Sequence, residues 1–354
     1  MKQIDVLIIG LGPAGAAAAL AAAQGGLSVI AVDRRHEIGM PVQCAEFIPL
    51  PMGKYAKADG VLYQHIKGMK SFLPSGAVAE TEFPGLMINR AAFDQAIARQ
   101  AQDSGADLWL NSRLVSLDAA QQQAKISTAA GDIDIQYRLL IAADGPHSPV
   151  AAALDLPEME VVTTRQYTVP LKREYVDTDI WLSADYPGGY AWLFPKGEWA
   201  NLGLGLDKRF TADMKKPLDE LHRQLVAQGL VGEEITYRTG GAIPVGGLRE
   251  QLVIGNIMFT GDAAGLTHPI TGAGIAAAVI SGERAGQAAV ANLVNHDADA
   301  LADFEEDVRD QFEVAVSRAV ARRKWLDQHW LTEAAQTDDL HRKSWIAFPD
   351  YFVS

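Results

Sequence analysis

A single cysteine, Cys44, occurs in the 354 residues of this chain. One thiol excludes an intrachain disulfide framework and fits a reducing compartment. Long apolar runs are missing too: no stretch reaches about 18 uninterrupted apolar residues, and the nearest, 272–280, is soon followed by Glu283 and Arg284, so no transmembrane segment is expected. The N-terminus enters a strand after three residues without a charged region and apolar core before it, so no signal peptide and a cytoplasmic location are expected. Basic charge is also short, with 31 Lys and Arg against 44 Asp and Glu and a formal net charge of −13. That balance disfavours non-specific binding to nucleic acid or to an anionic membrane surface. The eight histidines are scattered and Cys44 has no ligand-like neighbours, so no metal site is expected. What is present is a core-forming composition, 48% hydrophobic and 21% charged. The length suggests two intimately joined domains rather than one core.

The chain is organised around Ile4 to Asp33. A short β-branched run, 4–9, leads into Gly10-Leu11-Gly12-Pro13-Ala14-Gly15 and then an alanine-rich helical segment. In such a strand, turn and helix, Gly10 makes the tight turn and Gly12 lets the backbone approach a pyrophosphate. Gly15 lets the helix lie close on the strand, with the helix N-terminus facing negative charge. A second apolar strand, 28–32, ends on Asp33 about twenty residues later, where a carboxylate can accept hydrogen bonds from an adenosine ribose. This constellation predicts an ADP-containing cofactor.

The polar loop from Arg34 to Glu46 leaves that unit at the ligand edge of the sheet, which places Arg34 and Cys44 near the cofactor. Spacing alone leaves Cys44 open between a working thiol and a small buried hydrophobe. Residues 61–83, punctuated by Gly68, Pro74, Gly76 and Pro84, read as irregular structure and short strands. Asn89 is expected to cap a helix on which Phe93, Ile97 and Ala101 recur, with Gly105 ending it. Arg90 in its first turn opposes the helix dipole and calls for an anionic partner unless it is simply solvated. Segments within 107–137 read as a small antiparallel excursion. An apolar strand then delivers Asp144-Gly145, again at the cofactor edge, with His147 read as a polar turn residue.

From 161 to 243 the βαβ alternation stops and aromatic strands take over. Tyr190, Trp192 and Phe194 alternate and so share one face, which either packs on a helix layer or lines an apolar cavity. The chain then returns to the first domain. Short apolar strands lead into Gly261-Asp262 and, after Pro269, Gly272-Ala273-Gly274-Ile275 and a small-residue helix, a second helix N-terminus for an anion or a polarised ring oxygen. The remainder reads as helices with late aromatics, Trp345 and Phe348 among them.

These blocks resemble the FAD-dependent oxidoreductases of the glutathione-reductase-like class that includes aromatic hydroxylases, and most closely the geranylgeranyl reductase family. Gly10 to Gly15 with Asp33, Asp144-Gly145, and Gly261-Asp262 with Pro269 and Gly272 to Ile275 match its FAD blocks. Pro41-Val42-Gln43-Cys44-Ala45-Glu46 is similar to the reductases' Pro-x-x-Cys-Gly-Glu. Tyr190-x-Trp192-x-Phe194-Pro195, followed by Gly203-x-Gly205, is similar to their second signature. The implied fold is α/β: a Rossmann-like FAD-binding domain with a parallel sheet from 1–160 and 244–295, an antiparallel-sheet (α+β) substrate domain from 161–243, and a C-terminal helical segment from 296–354. The resemblance implies FAD held by Gly10, Gly12, Pro13, Ala14, Gly15, Asp33, Arg34, Cys44, Arg90, Asp144, Gly145, Gly261, Asp262, Pro269, Gly272, Ala273, Gly274 and Ile275. It makes Cys44 and Trp192 the catalytic candidates and Tyr190, Trp192 and Phe194 a substrate wall. Ala45 and Ala273 depart from the family's usual glycine and glutamate.

The resemblance implies hydride transfer through flavin to a bulky apolar or aromatic substrate. No second GxGxxG is present, so reducing equivalents are expected from transiently bound NAD(P)H, from ferredoxin or from another donor. A second reading keeps FAD but makes the enzyme a monooxygenase acting on a Trp or Tyr side chain of a partner protein, as in maturation of protein-derived quinone cofactors. A third makes it a non-catalytic flavin-dependent binding or chaperone module.

Overall fold

The β-branched N-terminal run becomes the strand Lys2–Ile9 at the middle of an eight-stranded sheet in the computed structural model, which describes residues 1–211 and 213–353. Its parallel partners are Val29–Val32 on one side and Gly131–Ala142 on the other. Val6, Leu7, Ile8, Ile30 and Ala31 are all fully or nearly fully buried, as expected where helices cover both faces of a parallel sheet. Asp107–Trp109, expected in the antiparallel excursion, instead extends the parallel edge beside Val29–Val32. The excursion proper is Arg113–Asp118, Gln123–Thr128 and the first half of Gly131–Ala142.

Small residues join the two ends of the chain. The helix Pro13–Gln24 lies against Ile275–Leu293 so closely that a Cβ on Gly282 would sit 2.0 Å from the Ala14 carbonyl oxygen. A Cβ on Gly286 would sit 2.5 Å from that of Ala18. Backbone contact of this kind requires glycine and alanine.

The second sheet has nine strands. Its centre, Val161–Pro170, Trp199–Leu206, Tyr190–Lys196 and Asp177–Trp181, falls within the expected substrate region. Residues 47–88, expected in the first domain with 61–83 as irregular structure and short strands, supply three strands of this second sheet. Leu62–Phe72 and Val78–Ile88 form a long hairpin that continues it through a parallel pairing with Asp177–Trp181, and Phe47–Pro49 closes the edge. Pro84 does not break the hairpin: the register slips between Ile66 and Gly68, and Pro84 falls in that irregularity, where no ladder N–H is needed.

At the C-terminus, Ala300–Asp327 bridges both halves. Phe304 and Val308 enter the first core, and Arg323, almost wholly buried, donates to Asp207 Oδ2 at 2.9 Å and to the Gly188 carbonyl at 2.9 Å. The tail then folds back through Asp338–Ser344 onto the second sheet, where Asp338 accepts from the Ser75 N–H at 2.9 Å and from its hydroxyl at 2.6 Å.

Candidate active site

The first glycine block has the geometry of a phosphate cradle. Gly10 has φ +98°, and a Cβ there would lie 2.3 Å from the Ala143 oxygen; one on Gly15 would lie 1.8 Å from the Gly10 oxygen. Gly12 is different. A Cβ there would meet nothing within 4 Å, so the protein's own packing does not demand glycine at this position and the space above it is free for a ligand. Pro13 opens the helix without a side-chain cap, leaving its first N–H groups available. Asp33 is aimed at this turn: its carboxylate accepts from Leu11 N at 2.9 Å and Arg35 N at 2.8 Å. Arg34 beside it is exposed.

Asp144 follows the strand on the neighbouring side. One carboxylate oxygen accepts from Val150 N at 3.0 Å and the other is buried without a partner among the described residues. Burial pushes its pKa up to about 6, against its backbone hydrogen bonds and the more distant charge of Arg249. Gly145 turns away with φ +86°.

The third block supplies a second uncapped helix. Gly274 precedes Ile275–Leu293, and a Cβ on it would lie 2.6 Å from Thr267 Oγ1, which donates to Asp262 at 2.6 Å. Burial raises the pKa of Asp262, with Thr267 and Arg90 opposing. Pro269 is buried and Gly272 takes φ +68°. Directly before Pro269 stands His268, which no sequence motif singled out. Burial lowers its pKa to about 4, and its neutral Nδ1 accepts from Thr271 N at 3.3 Å, fixing the loop before Gly272-Ala273-Gly274.

The loop carrying Cys44 joins these blocks to the second sheet. Arg90 has the anionic partner its position called for: it forks onto Asp94 with Nε–Oδ1 2.8 Å and Nη2–Oδ2 3.1 Å. Burial disfavours the Arg90 charge, but Asp94 and the adjacent Cys44 outweigh it and raise its pKa. Burial likewise raises the pKa of the Cys44 thiol, only partly offset by Arg90. The Glu46 N–H donates to Cys44 Sγ at 3.2 Å from a left-handed backbone, φ 71°, that a buried glutamate adopts only when its surroundings hold it there. Those surroundings are Arg90 N, Asn201 Nδ2 and Lys196 Nζ, all donating to the Glu46 carboxylate.

Cys44 and Trp192, the two catalytic candidates, are linked through a residue not anticipated. Trp192 Nε1 donates to Gln166 Oε1 at 3.1 Å, and Gln166 Nε2 donates to the Cys44 carbonyl at 3.0 Å. Gly203 stands across the strand pair from Trp192, and a Cβ there would lie 2.4 Å from the indole, so the glycine of the second signature makes room for the tryptophan. Tyr190 donates its hydroxyl to the Thr271 carbonyl at 2.5 Å, which ties the aromatic strand to the Gly272 loop. Phe194 packs edge-on against Phe47 at 6.0 Å. The aromatic face is not open: Tyr190 and Trp192 cluster with Ile180 and Met69, and Trp345 and Phe348 from the C-terminal tail cover them. Glu46 and Asn201 stood inside the signature blocks as buried polar residues in apolar strands or next to the cysteine, which is the signal that would have found them. A cavity of about 240 Å³ opens behind this network, lined by Glu46, Gln166, Lys196, Asn201 and Tyr237 among others.

The site therefore holds two bare helix N-termini, an acid at each turn, and a thiol pinned where the two sheets meet. This geometry fits FAD. Comparison with known proteins agrees. Residues 5–144 match the model of FAD dependent oxidoreductases, and residues 160–241 match that of the geranylgeranyl reductase catalytic domain. A digeranylgeranylglycerophospholipid reductase of Methanosarcina acetivorans is 34% identical over 310 residues, 82% of this chain and 76% of that protein. Digeranylgeranylglycerophospholipid reductase 1 of Methanopyrus kandleri is 34% identical over 335 residues, 88% of this chain and 89% of that one. The crystal structure of a geranylgeranyl bacteriochlorophyll reductase-like protein from Thermoplasma acidophilum superposes with a TM-score of 0.86 at 28% identity, covering 97% of this chain and 92% of that one. Among the described residues no helix is long and apolar enough to cross a membrane. This chain is an enzyme of the FAD-dependent oxidoreductases and belongs to the geranylgeranyl reductase family.

Proposed function

We propose that this enzyme saturates carbon–carbon double bonds in the isoprenoid chains of an apolar lipid. The observation that carries the reading is the Trp192–Gln166–Cys44 connection, which fixes a thiol and an aromatic wall relative to each other at the junction of the two sheets. FAD, when bound, supplies hydride. Residues 1–46, 89–160 and 244–295 would hold it, with Gly10, Gly12 and Gly15 and the Ala14 N–H on the pyrophosphate where Pro13 opens the helix, Asp33 on the adenosine ribose and Asp262 on the ribityl chain. Gly272 to Ile275 would face the ring, Arg90 and Arg34 would balance nearby negative charge, and Asp144-Gly145 would close the cradle. Pro269 shapes the loop. The strands of 161–243, joined by the hairpin of 47–88, would hold the substrate against Tyr190, Trp192 and Phe194.

Saturating a double bond takes one hydride and one proton. A Cys44 thiol kept protonated by burial is suited to deliver the proton to the carbon left electron-rich after hydride addition. Electrons would arrive from transiently bound NAD(P)H or from ferredoxin, since the sequence has no second dinucleotide fingerprint. The oxygenase reading gains no comparable support, because the relatives above 30% identity described above are reductases. The test is anaerobic incubation of the reduced holoenzyme with a geranylgeranyl lipid followed by mass analysis. Gain of two hydrogen atoms per double bond supports the proposal; an unchanged lipid overturns it.

A further inference from the structure

The buried indole N–H of Trp345 has no hydrogen-bond partner among the described residues. Buried donors are nearly always paired, and an unpaired one calls for an explanation, a bound ligand or water among them. Its position is specific. The Trp345 ring packs on Tyr190 with centroids 4.8 Å apart, and Tyr190 donates to the Thr271 carbonyl next to the Gly272 loop. Trp345 is 3% exposed, in one apolar cluster with Trp192, Ile180 and Phe348. The segment is held there independently of that cluster, by the two hydrogen bonds from Ser75 to Asp338 at the start of its helix. An indole N–H can only donate, so its partner must be an acceptor.

We propose that Trp345 is a substrate-binding residue: its ring forms the outer wall of the apolar site, and its N–H donates to an ether, ester or hydroxyl oxygen at the polar end of the isoprenoid lipid. This deepens the reductase reading and rests on it for the identity of the lipid. The C-terminal tail thereby selects oxygen-bearing isoprenoids over plain hydrocarbons. Phe348 beside it supplies apolar contact without polarity and does not discriminate between them.

The experiment uses the holoenzyme and two probes of equal chain length in matched detergent, geranylgeranyl methyl ether and the hydrocarbon lacking its oxygen. Binding is read from perturbation of the flavin absorbance, in the wild type and in Trp345→Phe, which keeps an aromatic ring and removes the N–H. The expected result is a wild-type preference for the ether of about threefold to tenfold, the range one neutral hydrogen bond supports, abolished in Trp345→Phe. A wild type without preference, a preference that survives in Trp345→Phe, or failure to bind either probe overturns the proposal. Turnover is followed on the same samples and decides the other question: a preference lost in Trp345→Phe with no double bond reduced leaves Trp345 as a ligand-binding residue and removes the reductase reading.

Discussion

Trp192 donates to Gln166 at 3.1 Å, and the other end of the same amide holds the Cys44 carbonyl. One side chain thus couples the two signature blocks of the family, which lie almost 150 residues apart in the chain. Replacing Gln166 by Leu leaves a buried indole N–H and the Cys44 carbonyl without partners, each costing about 1–3 kcal/mol. The expected result is a lower Tm and a fall in lipid reduction of at least about tenfold. Bound FAD, measured by its absorbance, is expected to stay stoichiometric because the Gln166 amide bonds to Trp192 and the Cys44 carbonyl rather than to the glycine cradle.

Cys44→Ala removes the proposed proton donor while leaving the cofactor cradle intact. Reduction of the flavin by its donor should be unchanged, whereas lipid saturation should fall by about 10²-fold or more, the range typical of losing a general acid. Separate stopped-flow traces for the two half-reactions check this split.

Gly12 and Gly282 are both glycines in contact with helices, yet they should respond oppositely. Gly12→Val enters open space at φ −74° and should leave Tm of the apoprotein unchanged while abolishing FAD retention on gel filtration. Gly282→Val forces the Ala14 backbone away from a Cβ at 2.0 Å and should cost about 1–3 kcal/mol of stability, seen as a lower Tm whether or not FAD is present.

Asp179 is 1% exposed in the second sheet, where its pKa is pushed up to about 7 chiefly by burial, with Tyr175 donating to it at 2.7 Å. The folded state therefore keeps a proton that the unfolded chain loses at ordinary carboxylate values. Between about pH 4 and pH 7 this group lowers stability as pH rises, by at most about 1.4 kcal/mol per unit. Asp179→Asn keeps an acceptor for Tyr175 and removes the titration. Urea unfolding of the two proteins across this window should converge at the acid end and favour the asparagine variant near pH 7.

The cofactor half was legible because its determinants are local. A glycine at a positive φ, an N-cap at Asn89 bonding Ala92 N at 3.1 Å, and an acid ending a strand each announce themselves within a few residues. The substrate half depends on pairings between distant segments. Gly68, Gly76 and Pro84 read as punctuation along the chain, but Gly76 makes a hairpin turn and the other two sit at a register slip, so two long strands went unrecognised. Likewise nothing near Trp345 in sequence indicates that it comes to rest on Tyr190. Lys196 and Glu46 form a buried pair only because Phe47–Pro49, directly after Glu46, pairs onto the edge of the second sheet.

The most direct test of the central claim is a competition for the reduced enzyme. Holoenzyme reduced anaerobically is mixed in a stopped-flow instrument either with a geranylgeranyl lipid or with oxygenated buffer, and flavin absorbance is followed while the lipid is recovered. The account predicts that the lipid reoxidises the flavin faster than oxygen does and is recovered with two added hydrogen atoms per double bond. Reoxidation by oxygen alone, with the lipid recovered unchanged or carrying an inserted oxygen atom, would contradict it.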